Sequence, residues 1–289
     1  MSLKGKFYKY IMKTAGKNSK CIQLATTCGL NSAEMTDYIY NNLPAATTKG
    51  FGGKLADSIF LNLPTLKSLR KRKQNLQNVL YYIINGRLER DSENEIRILD
   101  LASGYGQYIF PVLDKLGERA GKIYVEMRDI NPSCENHIYA QNKNNYNIKF
   151  INADMKKEEY YDLNNKYDIV ILTGFYDSIG MNNIRIIEST MKLAEKIMND
   201  NGLFIYSYQE SHTNSALLNE LFNNTNRVSF SMGDYSKTDI YDCAKKSGFN
   251  QIGKIIDNEG VYPIVISAKS KINVDVMKKM IKNDFSKTL

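Results

Sequence analysis

The sequence predicts an α/β protein: a doubly wound sheet of seven strands, its last two a hairpin, covered by an N-terminal helical lid. Three observations predict it. From residue 96 onward, short β-branched runs alternate with helical stretches, which implies a mostly parallel sheet with helices on both faces. A glycine-bearing segment, LDLASGYGQY (99–108), lies directly after the first strand and directly before a helix. Residues 1–90, by contrast, read as helices and loops alone, and they hold 15 basic against 4 acidic residues.

The elements follow in chain order. Residues 1–20 carry Leu3, Phe7, Tyr10 and Ile11 at helical spacing among lysines, as an amphipathic surface helix or a frayed tail. Residues 32–43 predict a helix capped by Ser32, with Met35, Tyr38 and Ile39 on one face. Residues 44–53 read as a loop because Pro44, Gly50, Gly52 and Gly53 crowd there. Two helices follow over 54–63 and 65–88, parted by Pro64, and the second carries Leu66, Leu69, Leu76, Val79, Leu80 and Ile83 along one side. The polar stretch ERDSENE (89–95) marks a domain boundary, giving a basic lid over 1–90 and a catalytic domain over 91–289. Beyond it, strands are predicted at 96–102, 122–129, 147–154, 167–174 and 203–209. A long helix over 183–199 is set off from the fifth strand by Asn201–Gly202. Helices at 213–223 and 236–247 precede strands at 250–257 and 260–268, joined by a tight Asn258–Glu259–Gly260 turn.

Composition narrows the class. The chain has 289 residues, 43% apolar and 24% charged, which suits a folded globular protein. No apolar run approaches the ~18 residues of a membrane span. The N-terminus lacks the apolar core of a secretory signal, so a cytoplasmic setting is expected. Four scattered cysteines and two histidines, with no paired spacing, exclude a zinc ribbon or multi-histidine metal site. Net charge is +8, and all of the excess lies in residues 1–90. Such a segment attracts an anionic partner, or simply forms a solvated lysine surface; peripheral membrane contact is one expectation and nucleic acid is disfavoured.

The glycine segment carries the chemistry. Gly104 and Gly106 allow a tight turn and a close approach of backbone to ligand. The spacing differs from the GxGxxG fingerprint: Ser103 stands at the first glycine position, the third is not filled, and Asp100 precedes the loop. That disfavours a pyrophosphate and a nicotinamide oxidoreductase, and favours a cationic ligand such as an amino acid's ammonium. Asp129 ends the second strand, where a carboxylate accepts from two ribose hydroxyls. Asp154 ends the third, where it can meet an exocyclic amine, although helix caps and turns also place aspartates there.

With these residues in register, segment 96–209 resembles the class I methyltransferases that use S-adenosylmethionine (SAM). DLASGYG is similar to their first motif, and Asp129 and Asp154 match their ribose and adenine acids. The resemblance implies a Rossmann-like fold with SAM as cofactor. It implies SAM contacts from Asp100, Ala102, Ser103, Gly104, Gly106 and Tyr108, then from Asp129, Ile130 and Asn131. Asp154 and Met155 after the third strand, and Gly174 and Phe175 after the fourth, complete the implied set. A narrower resemblance covers residues 21–269, to a bacterial methyltransferase family often fused behind an α/β-hydrolase domain. It rests on CGLNSAEMTDYIYNN (28–42), GGKLADSIFLNLP (52–64), LRKRKQNL (69–76), MRDINPSCEN (127–136), LTGFYDSIGMNN (172–183) and IDNEGVYPIVISAKS (256–270). Members occur near phospholipid-synthesis genes, which implies a lipid-related acceptor. The family's Gln-Pro-Trp-His-Pro-like stretch is replaced by YQESHTNS (208–215), which keeps Gln209 and His212.

Methyl transfer is an in-line displacement, so the enzyme mainly positions the acceptor and excludes water. Tyr176 and Asp177, after the fourth strand, are the expected catalytic residues. Tyr38, Arg70, Arg72, Ser207, Gln209 and His212 are expected to line the acceptor side, with the arginines suited to an anionic small-molecule or lipid acceptor. The fourth strand is not followed by an Asn/Asp-Pro-Pro-Tyr/Phe motif, which disfavours amino-methylation of nucleobases by that route. Two alternatives stand beside methyl transfer. One is SAM consumption of the azetidine-2-carboxylate synthase kind, which releases methylthioadenosine. The other is a non-catalytic SAM-binding module that docks on RNA or membrane.

Overall fold

Strands β1 (Ile96–Leu101), β2 (Ile123–Asp129), β3 (Asn147–Asn152), β4 (Tyr167–Leu172), β5 (Met198–Ser207), β6 (Phe249–Ile255) and β7 (Ile264–Lys269) form one sheet in the order β3-β2-β1-β4-β5-β7-β6. The computed structural model describes residues 16–47, 51–91, 93–179, 183–210 and 237–269, with Tyr10 and Thr14. The first five strands pair in parallel, and β7 runs antiparallel to both β5 and β6. Strand β1 lies between β2 and β4, so strand order reverses beside it, and a crevice opens at the strands' carboxyl ends.

The strands alternate between two buried faces, which is why they read as continuous apolar runs. Ile98, Val125, Ile171 and Ile205 point to one face, under α4 (Pro64–Arg90), α5 (Ile109–Leu116) and α6 (Ser133–Gln141). Leu99, Val170, Phe204 and Tyr206 point to the other, under α8 (Ile184–Ile197) and α9 (Lys237–Lys246). Between β4 and α8 lies the short helix α7 (Tyr176–Ile179).

The lid has a core of its own, built by α1 (Lys20–Thr27), α2 (Ala33–Asn41), α3 (Phe51–Leu61) and the start of α4. Ser32 caps α2 by accepting from the Met35 N–H, and Met35 and Ile39 turn inward. Asp57 organises the lid. Its buried carboxylate accepts from the Ser19 hydroxyl at 2.6 Å, the Cys21 N–H at 2.7 Å and the Ala45 N–H at 2.9 Å. Helix α4 belongs to both cores: Leu66 packs in the lid, while Leu76, Val79, Leu80 and Leu88 pack against the sheet. The two cores therefore meet within α4, upstream of the polar stretch at 89–95.

Three elements differ from the sequence expectation. Gly52 and Gly53 lie inside α3, not in a loop. A Cβ on Gly53 would stand 2.4 Å from the Asn18 carbonyl oxygen, so that glycine serves close backbone approach. Strand β5 begins at Met198, ahead of Asn201–Gly202, with a register shift opposite Tyr167 and Ile169. The last two strands are joined by residues 256–263 instead of a three-residue turn, and Val261 and Tyr262 of that connection are buried in the lid core. The helix expected at 213–223 lies outside the described residues. No described helix is long and apolar enough to cross a membrane.

Candidate active site beneath the lid

A cavity of about 630 Å³ opens at the carboxyl ends of β1 to β4, roofed by α2 and α4. That volume lies within the ~300–1,000 Å³ of ordinary small-molecule and cofactor sites. Its floor is the loop after β1. Ala102, Gly104 and Gly106 have φ of 51°, 54° and 61°. A left-handed alanine is strained by roughly 1–2 kcal/mol, which is tolerated where a loop is shaped for a ligand. A Cβ on Gly106 would stand 2.7 Å from the Met127 sulfur. The Ser103 N–H donates to the Arg128 carbonyl at 3.0 Å, tying the loop to β2.

Two carboxylates flank this loop. Asp129 Oδ2 accepts from the Gly104 N–H and Oδ1 from the Asn131 N–H, both at 2.8 Å. Burial raises its carboxyl above the usual value, against these hydrogen bonds. Asp100 is fully buried below the loop. Its Oδ1 accepts from the Tyr108 hydroxyl at 2.6 Å, and its Oδ2 has no partner among the described residues. Burial pushes Asp100 up to about 8, with Tyr108 pulling it down and Asp129 adding to the rise. Asp154 lines the cavity, but it also accepts from the Lys156 N–H at 3.0 Å and pairs with the Lys156 ammonium at 3.5 Å. Met155 is buried beside it, and Ile130 sits 70% exposed at the rim. Gly174 and Phe175 line the cavity after β4.

The opposite wall comes from distant segments. Arg72 of α4 is buried and ion-paired with Asp177 at the start of α7. Its guanidinium also donates to the Tyr40 hydroxyl at 3.2 Å and lies 5.3 Å from the Tyr262 ring centre. Burial raises the Asp177 carboxyl, with Arg72 opposing it. Tyr40, Arg72, Asp177 and Tyr262 all line the cavity.

Several expected acceptor-side residues are elsewhere. Tyr176 is fully buried, with its hydroxyl 3.0 Å from that of Thr190 and its ring against Tyr206, so it packs α7 onto α8 and does not reach the cavity. Arg70 donates to the Leu61 carbonyl at 2.8 Å and closes the end of α3. The Tyr38 hydroxyl is bound to Asp57 and to the Leu43 carbonyl, inside the lid. Ser207 lies behind the cavity wall, where its hydroxyl accepts from the Gly174 N–H at 3.0 Å and so positions the loop after β4. Gln209 is buried and does not line the cavity. His212 lies outside the described residues. The reason is common to most of them: spacing places a residue near a strand end, but the helix that covers it decides which way it turns. Sequence reading missed Tyr262 and Asp37 as lining residues. The segment GVYPIV (260–265) offered one signal for Tyr262: Pro263, which ends the expected strand early and leaves the aromatic ahead of it in the connection.

The fold, with this loop and these strand-end acids, is that of the class I methyltransferases. The chain belongs to the family described as "Putative methyltransferase", whose model matches residues 1–269. It is 24% identical over 269 residues to the Escherichia coli K12 protein named "Uncharacterized protein YnbC", covering 91% of this chain and 44% of that one. The chain thus spans less than half the length of that curated relative. Among solved structures, it is similar to a possible exported protein from Bordetella parapertussis, with TM-score 0.67 at 12% identity over 91% of this chain and 87% of that one. It is also similar to magnesium protoporphyrin IX methyltransferase from Synechocystis PCC 6803 with bound S-adenosylhomocysteine. There the TM-score is 0.52 at 14% identity, over 71% of this chain and 87% of that one.

Proposed function

We propose that the protein is a SAM-dependent methyltransferase acting on a small-molecule or lipid acceptor held beneath the lid. One observation carries this reading. A left-handed glycine loop floors the cavity with Asp129 beside it, and the buried Asp100 lies beneath the loop, paired in register with Met127, two residues before Asp129. Burial holds such a carboxyl neutral, and a cation brought close to it favours its ionised form. The residues fit SAM. Asp129 would take the ribose hydroxyls, Asp154 with Met155 and Ile130 the adenine, and Asp100, beneath the loop and outside the lining, would complement the charge of the ammonium.

When bound, SAM supplies an electrophilic methyl group whose carbon–sulfur bond breaks with its electron pair left on sulfur. The chain's own residues do the rest. The loop at 102–108 fixes the floor, α2 and α4 exclude water, and the loop after β4 presents Asp177 to the acceptor. The expectation of an anionic acceptor loses its support, because Arg70 closes α3 and Arg72 is already neutralised by Asp177.

The test incubates the full chain with SAM alone and then with acceptor panels, and identifies products by mass spectrometry. S-adenosylhomocysteine that forms only with an acceptor is the expected result. Methylthioadenosine formed without any acceptor, or no SAM binding at all, would overturn the reading.

A further inference from the structure

The charge inventory of the cavity constrains what can enter beside the cofactor. Among the described residues, its lining cations are Arg72, Arg128 and Lys156. Each is matched by a carboxylate: Arg72 by Asp177, Arg128 by Glu126 at 2.6 Å, and Lys156 by Asp154 at 3.5 Å. Asp37 and Asp129 line the cavity in addition. The site is therefore acidic overall, although the N-terminal third of the chain is strongly basic. No described lining cation is left over for an anionic acceptor, and a buried charge without a partner is opposed by several kcal/mol.

The lid side of the cavity is otherwise apolar. Leu30, Ile39, Leu66, Leu69, Phe175 and Tyr262 form its walls. At the wall between α4 and α7, the paired side chains of Arg72 and Asp177 both line the cavity, 5% and 10% exposed. A pair already neutral as a whole presents a donor and an acceptor with no net charge left to match. A hydroxyl matches both, since it can donate to the carboxylate and accept from the guanidinium. An aromatic amine, uncharged at neutral pH, matches the carboxylate.

We propose, building on the methyltransferase reading, that the acceptor is an uncharged hydroxyl or aromatic amine on an apolar body, its head held by the Arg72–Asp177 pair. The acceptor oxygen or nitrogen bonds to the methyl carbon as the methyl–sulfur bond breaks. The acceptor's proton passes to Asp177 and from there to solvent. Asp177 is thus the catalytic residue, while Arg72 orients both it and the acceptor.

The experiment measures binding of four probes to the full chain saturated with S-adenosylhomocysteine. The probes share one body: 4-propylphenol, 4-propylaniline, 4-propylbenzoate and 4-propylphenyl phosphate. The phenol and aniline are expected to bind at least ~10-fold more tightly than the two anions, the ratio for leaving one buried charge unpaired. Asp177→Asn is expected to shrink that preference and to lower kcat for the phenol by more than it raises KM. The wild-type panel stands without the variant, should the variant fold poorly. Anions that bind as tightly as the phenol, or four probes that all fail to bind, would overturn the proposal. Failure of S-adenosylhomocysteine itself to bind would instead overturn the methyltransferase reading, and this proposal with it.

Discussion

The two sides of the cavity are built in opposite ways. The floor comes from three short segments at consecutive strand ends, held almost wholly by backbone: Gly104 and Asn131 N–H groups on Asp129, and the Ser103 N–H on β2. The lid-side wall comes from four segments joined by side chains, with Arg72 and Asp177 105 positions apart in the chain. The floor is therefore local and tolerant of change elsewhere. The wall exists only once the lid, the loop after β4 and the 256–263 connection have docked.

The largest expected effect falls on the wall. Arg72→Ala would strand Asp177 as a buried lone charge and destabilise the fold by ~3–5 kcal/mol, read from urea unfolding. A change of less than 1 kcal/mol would mean that the pair contributes little to docking. On the floor, Gly106→Ala places a Cβ 2.7 Å from the Met127 sulfur at a left-handed position. A loss of ~1–2 kcal/mol in stability is expected there, with at least ~10-fold weaker SAM binding by calorimetry. The comparison sharpens if Gly106→Ala weakens SAM binding while Arg72→Ala, where it folds, does not.

A third prediction concerns Asp100, which burial pushes up to about 8. A carboxyl held that high would be mostly protonated in the unliganded fold at pH 7 and would ionise to complement an ammonium. SAM affinity should therefore rise from pH 6 to pH 8, with a fraction of a proton released per SAM bound. Calorimetry in buffers of different ionisation enthalpy reads that number, and a value of zero would contradict the assignment. The sign for stability is the reverse. A carboxyl raised in the folded state makes the unliganded protein lose stability as pH climbs from the ordinary carboxylate range to about 8. Asp100→Asn should remove that decline in thermal melts.

The smallest expected effect is at Tyr176. Tyr176→Phe removes the hydroxyl contact to Thr190, which also donates to the Ile186 and Ile187 carbonyls. A loss of ~1 kcal/mol in stability with turnover nearly unchanged is expected. A large fall in kcat would restore Tyr176 to the reaction.

The floor was legible in the sequence because its geometry is local. A strand, a left-handed loop and a helix are adjacent in the chain, so Asp100, Gly104, Gly106 and Asp129 could be placed by counting. Ser32 as a cap and Pro64 as the break between two helices were legible for the same reason, although Pro64 itself opens α4. Asp57 was not. Nothing in DSIF marks a carboxylate that gathers donors from Ser19, Cys21 and Ala45, because those partners meet it only after α1 and α3 pack. Tyr176 was misplaced because one helical turn decides whether a residue after β4 faces the cavity or α8. Asp177, its neighbour, took the cavity side.

The amino-acid sequence by itself determined the alternation of strands and helices and the acids at the strand ends. These follow from local periodicity and glycine conformations. Only the tertiary structure decided that Arg72 is neutralised by Asp177, that Tyr262 reaches under the lid, and that Tyr176 turns away from the cavity. Side-chain direction and ion pairing depend on which surfaces bury one another, and apolar burial acts between segments that spacing along the chain does not relate.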